Sequence, residues 1–461
     1  GRSAAEAETA AIGLAIGTRG LAGESALIAT AEPAQRRPYD APRWLRADRP
    51  VRFAELVDVS QLQAAGFAPG PVSIPLRTAP DLYLTPGRTL PVDLRFRAPP
   101  GPVLDLAVSR MDVAVSDLFL RAVPLRQQEP SWPVAMAMRF FGISAPVVEQ
   151  ASVGVPPIML SGQNELQMRF DMRPLNRGDC VGVPADVRAA IEPESSIDIS
   201  GAHRFTLLPN LGFFASAGFP FTRMADLSET AVVLPDDPDP AELSAAFETV
   251  GRMAAAVGLP ATGVAVVGAS ALSQVRERDL LLIGALGRNA AVRQVLGDGP
   301  VRLEGNRFAL SLPDPLGQLR EIFVGGPAER ERDRAAAALA AQSDGFAVLA
   351  SRESPFAPGR AVVVLTAPTT AGVTALVEAL ADPERAARVQ GDLSVLSGGR
   401  IESFRVGPLF ERGTLPLWLW PRHYLGDRPL MLLGLMLAAA LLLSWPLFRA
   451  LRTRAARRLQ E

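Results

Sequence analysis

The sequence predicts a multidomain α+β protein: a β-sandwich of jelly-roll type, an α/β domain of flavodoxin-like type, an amphipathic interfacial segment and one C-terminal transmembrane helix. Three observations carry this reading. Between about residues 36 and 228 the apolar residues come in short, often alternating runs, the period of a half-buried strand. From about residue 230 short β-branched runs are followed by alanine-rich stretches, as when strands alternate with helices. From Pro429 to Phe448 about 20 residues carry no charge, enough at about 1.5 Å per residue to cross a ~30 Å hydrocarbon core.

Residues 1–35 fit neither soluble pattern and read as the remnant of a preceding domain or linker. Residues 36–215 are the expected sandwich. Leu90–Arg97 and Val103–Val115 are its clearest strands, and Gln163–Met172 and Ser196–Leu208 extend the pattern. Clusters such as Pro69-Gly70-Pro71 and Pro99-Pro100-Gly101-Pro102 punctuate it at spacings that suit antiparallel strands. Residues 216–229 connect to the α/β domain at 230–400. There Thr230–Leu234, Val264–Val267, Leu280–Ile283, Phe346–Leu349 and Val362–Leu365 read as buried strands, with helices near Pro240–Val257, Ala328–Ala341 and Ala371–Leu380.

Residues 401–428 mix apolar and basic side chains, and Pro408, Pro416 and Pro421 forbid one long helix, so short pieces lying on the membrane are expected. Trp418, Trp420 and Tyr424 belong at the headgroup level, and Trp445 at the opposite interface of the 429–448 helix. Arg449, Arg452, Arg454, Arg457 and Arg458 follow the apolar run, against Arg422 and Arg428 before it. The tail at 449–461 is therefore expected in the cytoplasm and the bulk of the chain on the outer side. That topology calls for an export signal upstream. The first residues, GRSAAEAETA, are not one, so the N-terminus reads as processed or truncated.

Composition removes several chemistries. All 47 basic residues are Arg, so no Schiff-base or P-loop lysine exists. Two histidines and the single Cys180 cannot build the usual zinc sites or an internal disulfide, and no metal site is expected. A formal net charge of -1 gives no global electrostatic reason for nucleic-acid binding.

The stretch Ile197–Pro235, IDISGAHRFTLLPNLGFFASAGFPFTRMADLSETAVVLP, resembles the most recognisable segment of the periplasmic, membrane-anchored subunit of bacterial cellulose synthase, the partner of a membrane-embedded glycosyltransferase. The order of sandwich, α/β domain, interfacial segment and membrane helix resembles that family as well. Its members usually carry two sandwich and α/β pairs, and this chain has room for the second pair and the anchor. The resemblance implies a non-catalytic subunit without a cofactor of its own. It would sit as a single-pass protein in the bacterial inner membrane, bulk in the periplasm, docked on a catalytic subunit that makes β-1,4-glucan from UDP-glucose under cyclic di-GMP control with a divalent metal. The sandwich would resemble a carbohydrate-binding module and guide the polymer. The implied partners are the catalytic subunit, nascent cellulose, inner-membrane lipid and further copies of the chain. The alternative from another class is a single-pass periplasmic polysaccharide-modifying enzyme or sensor, which two converging carboxylates in a sugar-sized groove would favour.

Sugar faces stack on aromatic rings, which makes Trp44, Tyr83 and Trp132 the candidate glucan contacts, although each also reads as an ordinary core or edge residue. An aromatic content of 6% argues against a long stacking track. In the signature, Asp198, His203, Asn210, Arg223, Asp226 and Glu229 could form an acid/base constellation. The plainer reading, which we favour, is a turn-rich connection whose charged groups pair with one another and with backbone, while Phe213, Phe214, Phe219 and Phe221 fill the seam. Gly258–Gly268, GLPATGVAVVG, lacks the order of a dinucleotide-binding loop. At the membrane the candidates are Trp418, Trp420, Tyr424, Trp445, Arg449 and Arg452.

Overall fold

The computed structural model describes residues 3–17, 25–85, 87–99, 103–125, 148–156, 159, 163–175, 187–297, 299–304, 307–311, 329–341, 345–426 and 429–458. Trp132 and Cys180 lie outside these residues. The chain forms two units, residues 1–412 and 413–461.

The first unit begins with helix α1 (Ala4–Ala15) and a short turn of helix, α2 (Phe53–Leu56). Its early strands are β1 (Val51–Arg52), β2 (Gln63–Ala65), β3 (Val72–Arg77), β4 (Leu82–Tyr83), β5 (Leu90–Arg97) and β6 (Arg110–Val115). They are followed by β7 (Leu118–Pro124), β8 (Val148–Val155), β9 (Gln163–Asp171), β10 (Arg188–Ile191), β11 (Ser196–Ile197) and β12 (His203–Leu208). β5 is the spine of one sheet: β8 pairs along one edge while β10 and β11 share the other, and β1 and β2 complete it. The second sheet runs β3-β9-β6-β7, and every pair in both is antiparallel.

Alternation on β5 turns Leu90, Val92, Leu94 and Phe96 inward, where they meet Ile74, Met111, Val113 and Phe170 of the other sheet in one core. Phe96 and Phe170 touch edge to face at 6.4 Å across it. Two expectations need correction. Val103–Val115 is a strand only from Arg110, because the Asp105 carboxylate accepts the Ala107 N–H at 3.1 Å and turns the chain first. Ser196–Leu208 breaks into β11 and β12, because Asp198 accepts the Ser200 N–H at 2.8 Å. β12 then leaves the sandwich sheets and pairs with β4 in a separate three-stranded ribbon.

Helix α3 (Leu211–Ala217) leads to β13 (Thr230–Leu234), and α4 (Pro240–Val257) follows. Asp239 and Glu242 form a capping box at the start of α4, Pro240 opens it, and Gly258 ends it at φ 74°. Next come β14 (Ala265–Gly268), β15 (Asp279–Ala285), α5 (Ala290–Leu296), the hairpin β16 (Val301–Glu304) and β17 (Arg307–Leu310), and α6 (Glu329–Ala340). Then β18 (Ala347–Glu353), β19 (Ala361–Ala367), α7 (Thr370–Ala381), α8 (Pro383–Ala386), β20 (Leu393–Ser397), β21 (Arg400–Phe404) and β22 (Phe410–Gly413) close the series.

The large sheet has the order β14-β13-β15-β19-β18-β20-β21. The first four strands are parallel, and β13, β15 and β19 are buried at every position, as expected when helices cover both faces. Ala245, Met253, Leu376 and Val377 of α4 and α7 pack on one face, and Val292, Val295 and Leu339 of α5 and α6 on the other. β18, β20 and β21 are antiparallel, so the sheet is mixed. Val264–Val267, expected to be buried, falls on β14 at the open edge, where Val266 is 59% exposed.

Residues 401–412, expected to lie on the membrane with the rest of 401–428, instead belong to the first unit, because Arg400–Phe404 alternates as the strand β21 beside β20 and Phe410 begins β22. In the second unit a single 3-10 turn at Leu417–Leu419 precedes helices α9 (Trp420–Gly426) and α10 (Pro429–Arg458). Trp420 stacks on Tyr424 at 5.3 Å and donates its indole N–H to the Leu415 carbonyl at 3.0 Å, while Leu417 and Trp418 point to solvent. Within α10, Met431–Arg452 has a mean hydropathy of 2.1 and none of its apolar window is buried in the protein. It is long and apolar enough to cross a membrane. The helix runs on past Arg449 and Arg452, so the basic tail begins as helix.

Candidate functional site at the seam

The seam between the sandwich and the large sheet is built from the start of the parallel strands. Arg223 places Nη2 at 2.6 Å from both oxygens of Glu229. Arg360 donates to Glu229 at 2.7 Å and to Asp279 at 3.2 Å, and Arg412 reaches the two Asp279 oxygens at 3.2 and 3.0 Å. Asp279 opens β15 and its carboxylate also accepts the Ala361 N–H of β19 at 2.8 Å, while Arg412 donates to the Gly359 carbonyl. The five side chains alternate in charge. Burial by itself would raise the Glu229 carboxyl, but the hydrogen bonds and charges of Arg223 and Arg360 outweigh it and hold the group down at about 2.

A second cluster lies beside the first. Asp81 is fully buried; Tyr39 donates its hydroxyl to it, Arg204 donates at 3.3 Å, and the Arg204 guanidinium sits 4.3 Å over the Tyr39 ring. Burial raises the Asp81 carboxyl despite the opposing Arg204 charge and both hydrogen bonds, and the Tyr39 hydroxyl is raised by burial and by Asp81. Tyr39 also donates its backbone N–H to the Arg223 carbonyl at 2.8 Å, joining the clusters.

Of the signature residues, the structure brings Arg223 and Glu229 together. Asn210 caps α3 by accepting the Gly212 N–H at 3.0 Å, and Asp226 accepts the Ser228 N–H at 3.1 Å. Phe219 is fully buried with Leu208, Ala361 and Phe410, and Phe214 meets Phe221 edge to face at 5.8 Å. Asp198 and His203 stand apart from the charge ladder, His203 opposite Tyr83 across β12 and β4. Trp44 is 4% exposed, packed with Ala41, Ala79, Ala225 and Val257, and its N–H donates to the Ala256 carbonyl at 3.2 Å; the structure gives it no open face for a sugar. Tyr83 is half-buried against the edge of Phe205 at 6.1 Å. Trp445 is 69% exposed with the Arg449 guanidinium 6.0 Å from its ring, and Arg452 closes the apolar span. Sequence reasoning missed Tyr39, Asp81, Asp279, Arg360 and Arg412; an acid directly before the apolar run Leu280–Ile283 was the one visible signal.

The opposite end of the parallel strands is where doubly wound sheets usually take ligands. Here protein fills it. Asn289 donates to the Val233 and Ile283 carbonyls at 3.1 and 3.0 Å, spanning β13 and β15. Buried Glu242 accepts the N–H groups of Ala285 and Asp239 at 2.9 Å each and pairs with Arg288 at 3.2 Å. A β-carbon on Gly284 would come within 3.2 Å of the Glu242 oxygen. A nucleotide phosphate would meet a carboxylate there and amides already in use. Among the described residues no cluster of His, Cys, Asp and Glu could hold a metal ion.

Residues 50–196 match the family model "Cellulose synthase BcsB, second CBM domain", and residues 204–365 match "Cellulose synthase BcsB, second FD domain". The chain is 37% identical to a "Cyclic di-GMP-binding protein" of Komagataeibacter xylinus, over all of the chain and 58% of that protein. A protein of the same description from Xanthomonas axonopodis pv. citri is 34% identical over all of the chain and 59% of its own length. "Cellulose synthase 1" of Novacetimonas hansenii is 36% identical, again over all of the chain, which spans 30% of that longer protein.

Proposed function

Because the chain belongs to the cellulose synthase BcsB family, we propose that it is the non-catalytic subunit of a bacterial cellulose synthase, held beside the catalytic glycosyltransferase by α10 and guiding the emerging β-1,4-glucan. The observation that carries this reading is Met431–Arg452: none of its apolar window is buried in the chain, so its surface is left to lipid and to a partner's helices. The bulk would lie in the periplasm and the C-terminus in the cytoplasm, which the arginines from Arg449 onward support. Trp418, Trp420 and Tyr424 would rest at the near interface and Trp445 at the far one.

The seam favours a structural over a hydrolytic role. A glycosidase needs an acid with a raised pKa opposite a second carboxylate. Glu229 is instead held low, Glu229 and Asp279 are both taken by guanidinium groups, and Asp81, which burial raises, is fully buried against Tyr39 and Arg204. The β14-β13-β15 order supports a flavodoxin-like origin for the sheet, and the two antiparallel sheets support a jelly roll. Cyclic di-GMP, which the relatives' names mention, would act on the catalytic partner, as would a divalent metal; Glu242 and Asn289 filling the strand ends support this. Tyr83, next in the chain to Leu84 of a small pocket that includes Arg88 and Asp198, and Trp132 remain the candidate glucan contacts, and contact along such a surface would be weak.

The test is glucan synthesis from UDP-glucose and cyclic di-GMP by the catalytic subunit in lipid, with the full chain, with residues 413–461 only, and with neither. Synthesis that requires the membrane segment is the expected result. Synthesis indifferent to the chain would refute the reading.

A further inference from the structure

A trough follows the seam beside α3. Two adjoining cavities of about 850 and 290 Å³ share Ala215, Ser216, Arg252 and Leu380, and extend from Arg77 on the sandwich to Gln390 beyond α8. Their size falls in the range of small-molecule sites. The charge of the lining is one-sided: Arg77 and Arg252 contribute to it, and no Asp or Glu does. Neither arginine is ion-paired among the described residues. Arg252 is half-buried and gives one Nη2 hydrogen bond to the Ala215 carbonyl at 3.2 Å, which leaves further donors of a planar, permanently charged group. Burial lowers its pKa, and the one carboxylate opposing that, Glu248, stands outside the lining. The rest of the wall is largely apolar, with Leu82, Phe213, Leu380 and Val389.

Arg252 is half-buried and its one acidic neighbour, Glu248, lies outside the lining, so its charge is uncompensated on the trough side, while an apolar wall gains nothing from a hydrated ion. A neutral sugar would leave the cations uncompensated, and bare phosphate would leave the walls wet. We propose that the trough binds a small organic anion, a carboxylate or phosphate on an apolar body, with Arg252 and Arg77 holding the charge. This does not depend on the glucan reading.

The experiment is calorimetric titration of the full chain in zwitterionic nanodiscs, with empty discs subtracted, using hexyl phosphate, hexanoate, inorganic phosphate, hexanol and cellohexaose. The two amphiphilic anions should bind one saturable site at least about tenfold more tightly than the other three. Arg252→Gln should weaken them about tenfold or more. Ser216→Glu, which keeps Arg252 and its bond to Ala215 while adding a negative charge to the wall, should do the same with an unchanged melting temperature. Equal binding of hexanol, cellohexaose or inorganic phosphate, no saturable binding of either anion, or affinity unmoved by both substitutions would overturn the proposal.

Discussion

Arg360 stands between Glu229 and Asp279 and donates Nη1 to both, at 2.7 and 3.2 Å. One guanidinium thereby ties the connection that precedes β13 to the first residue of β15.

Removing it should leave each carboxylate with a single arginine, Glu229 with Arg223 and Asp279 with Arg412. Breaking a fully buried pair costs about 3–5 kcal/mol. Arg360 keeps 26% of its side chain exposed, so we expect Arg360→Met to cost about 2 kcal/mol. Urea denaturation of the purified chain measures this, and an unchanged midpoint would contradict a structural role for the ladder.

Two acids should oppose each other in the pH dependence of stability. Glu229, held at about 2 against an ordinary 4.5, contributes fully above pH 4.5, and that contribution is lost as pH falls toward 2. Asp392 is pushed up to about 6 by burial, against an ordinary 3.8, although the Val406 and Gly407 N–H groups donate to it at 2.7 and 2.6 Å. Its contribution is full below pH 3.8 and is lost as pH rises through about 6. Asp392→Asn should flatten the stability curve between these values by up to about 1.4 kcal/mol per pH unit. Denaturation midpoints from pH 4 to 7 that keep the same slope in the variant would exclude Asp392 as its source.

Phe410 is 3% exposed among Leu208, Phe219 and Ala361. Truncation to Ala should cost about 3–5 kcal/mol, whereas Leu should cost about 1 kcal/mol. Calorimetric melting separates the two, and a neutral Phe410→Ala would mean that this packing contributes little.

Trp418 is 76% exposed, so Trp418→Ala should move stability by no more than about 0.5 kcal/mol. If the ring sits in lipid headgroups, the same change should weaken binding of a 413–426 peptide to vesicles about tenfold. Equal partition of both peptides would remove Trp418 from the interface.

The broad architecture was legible because it rests on periodicity. LPVDLRFR alternates and forms β5 as read, and the short apolar runs at β13, β15 and β19 read as buried strands from their length and flanks. Strand direction was not legible: a run buried on both faces looks alike whether its neighbour is parallel or antiparallel, so the turn back at β18 was invisible. The seam was half legible. Arg223 and Glu229 lie six residues apart and could be suspected as partners, but Arg360 and Arg412 come from 131 and 183 positions beyond Glu229. Trp44 stayed open to both readings because a tryptophan that packs and one that stacks on a sugar have the same letter, and only its burial distinguishes them.

The ribbon β22-β12-β4 has a mechanical meaning. β22 is the last strand before the chain leaves for its apolar end, and it is stitched to β12, which is stitched to β4 of the sandwich region. Through Phe410 and Arg412 the same strand is pinned to residues at the start of β19 and β15. A tug on this strand is therefore shared at once between both folded layers. The exit strand works as a common mooring, and neither layer can swing on it as a free pendant.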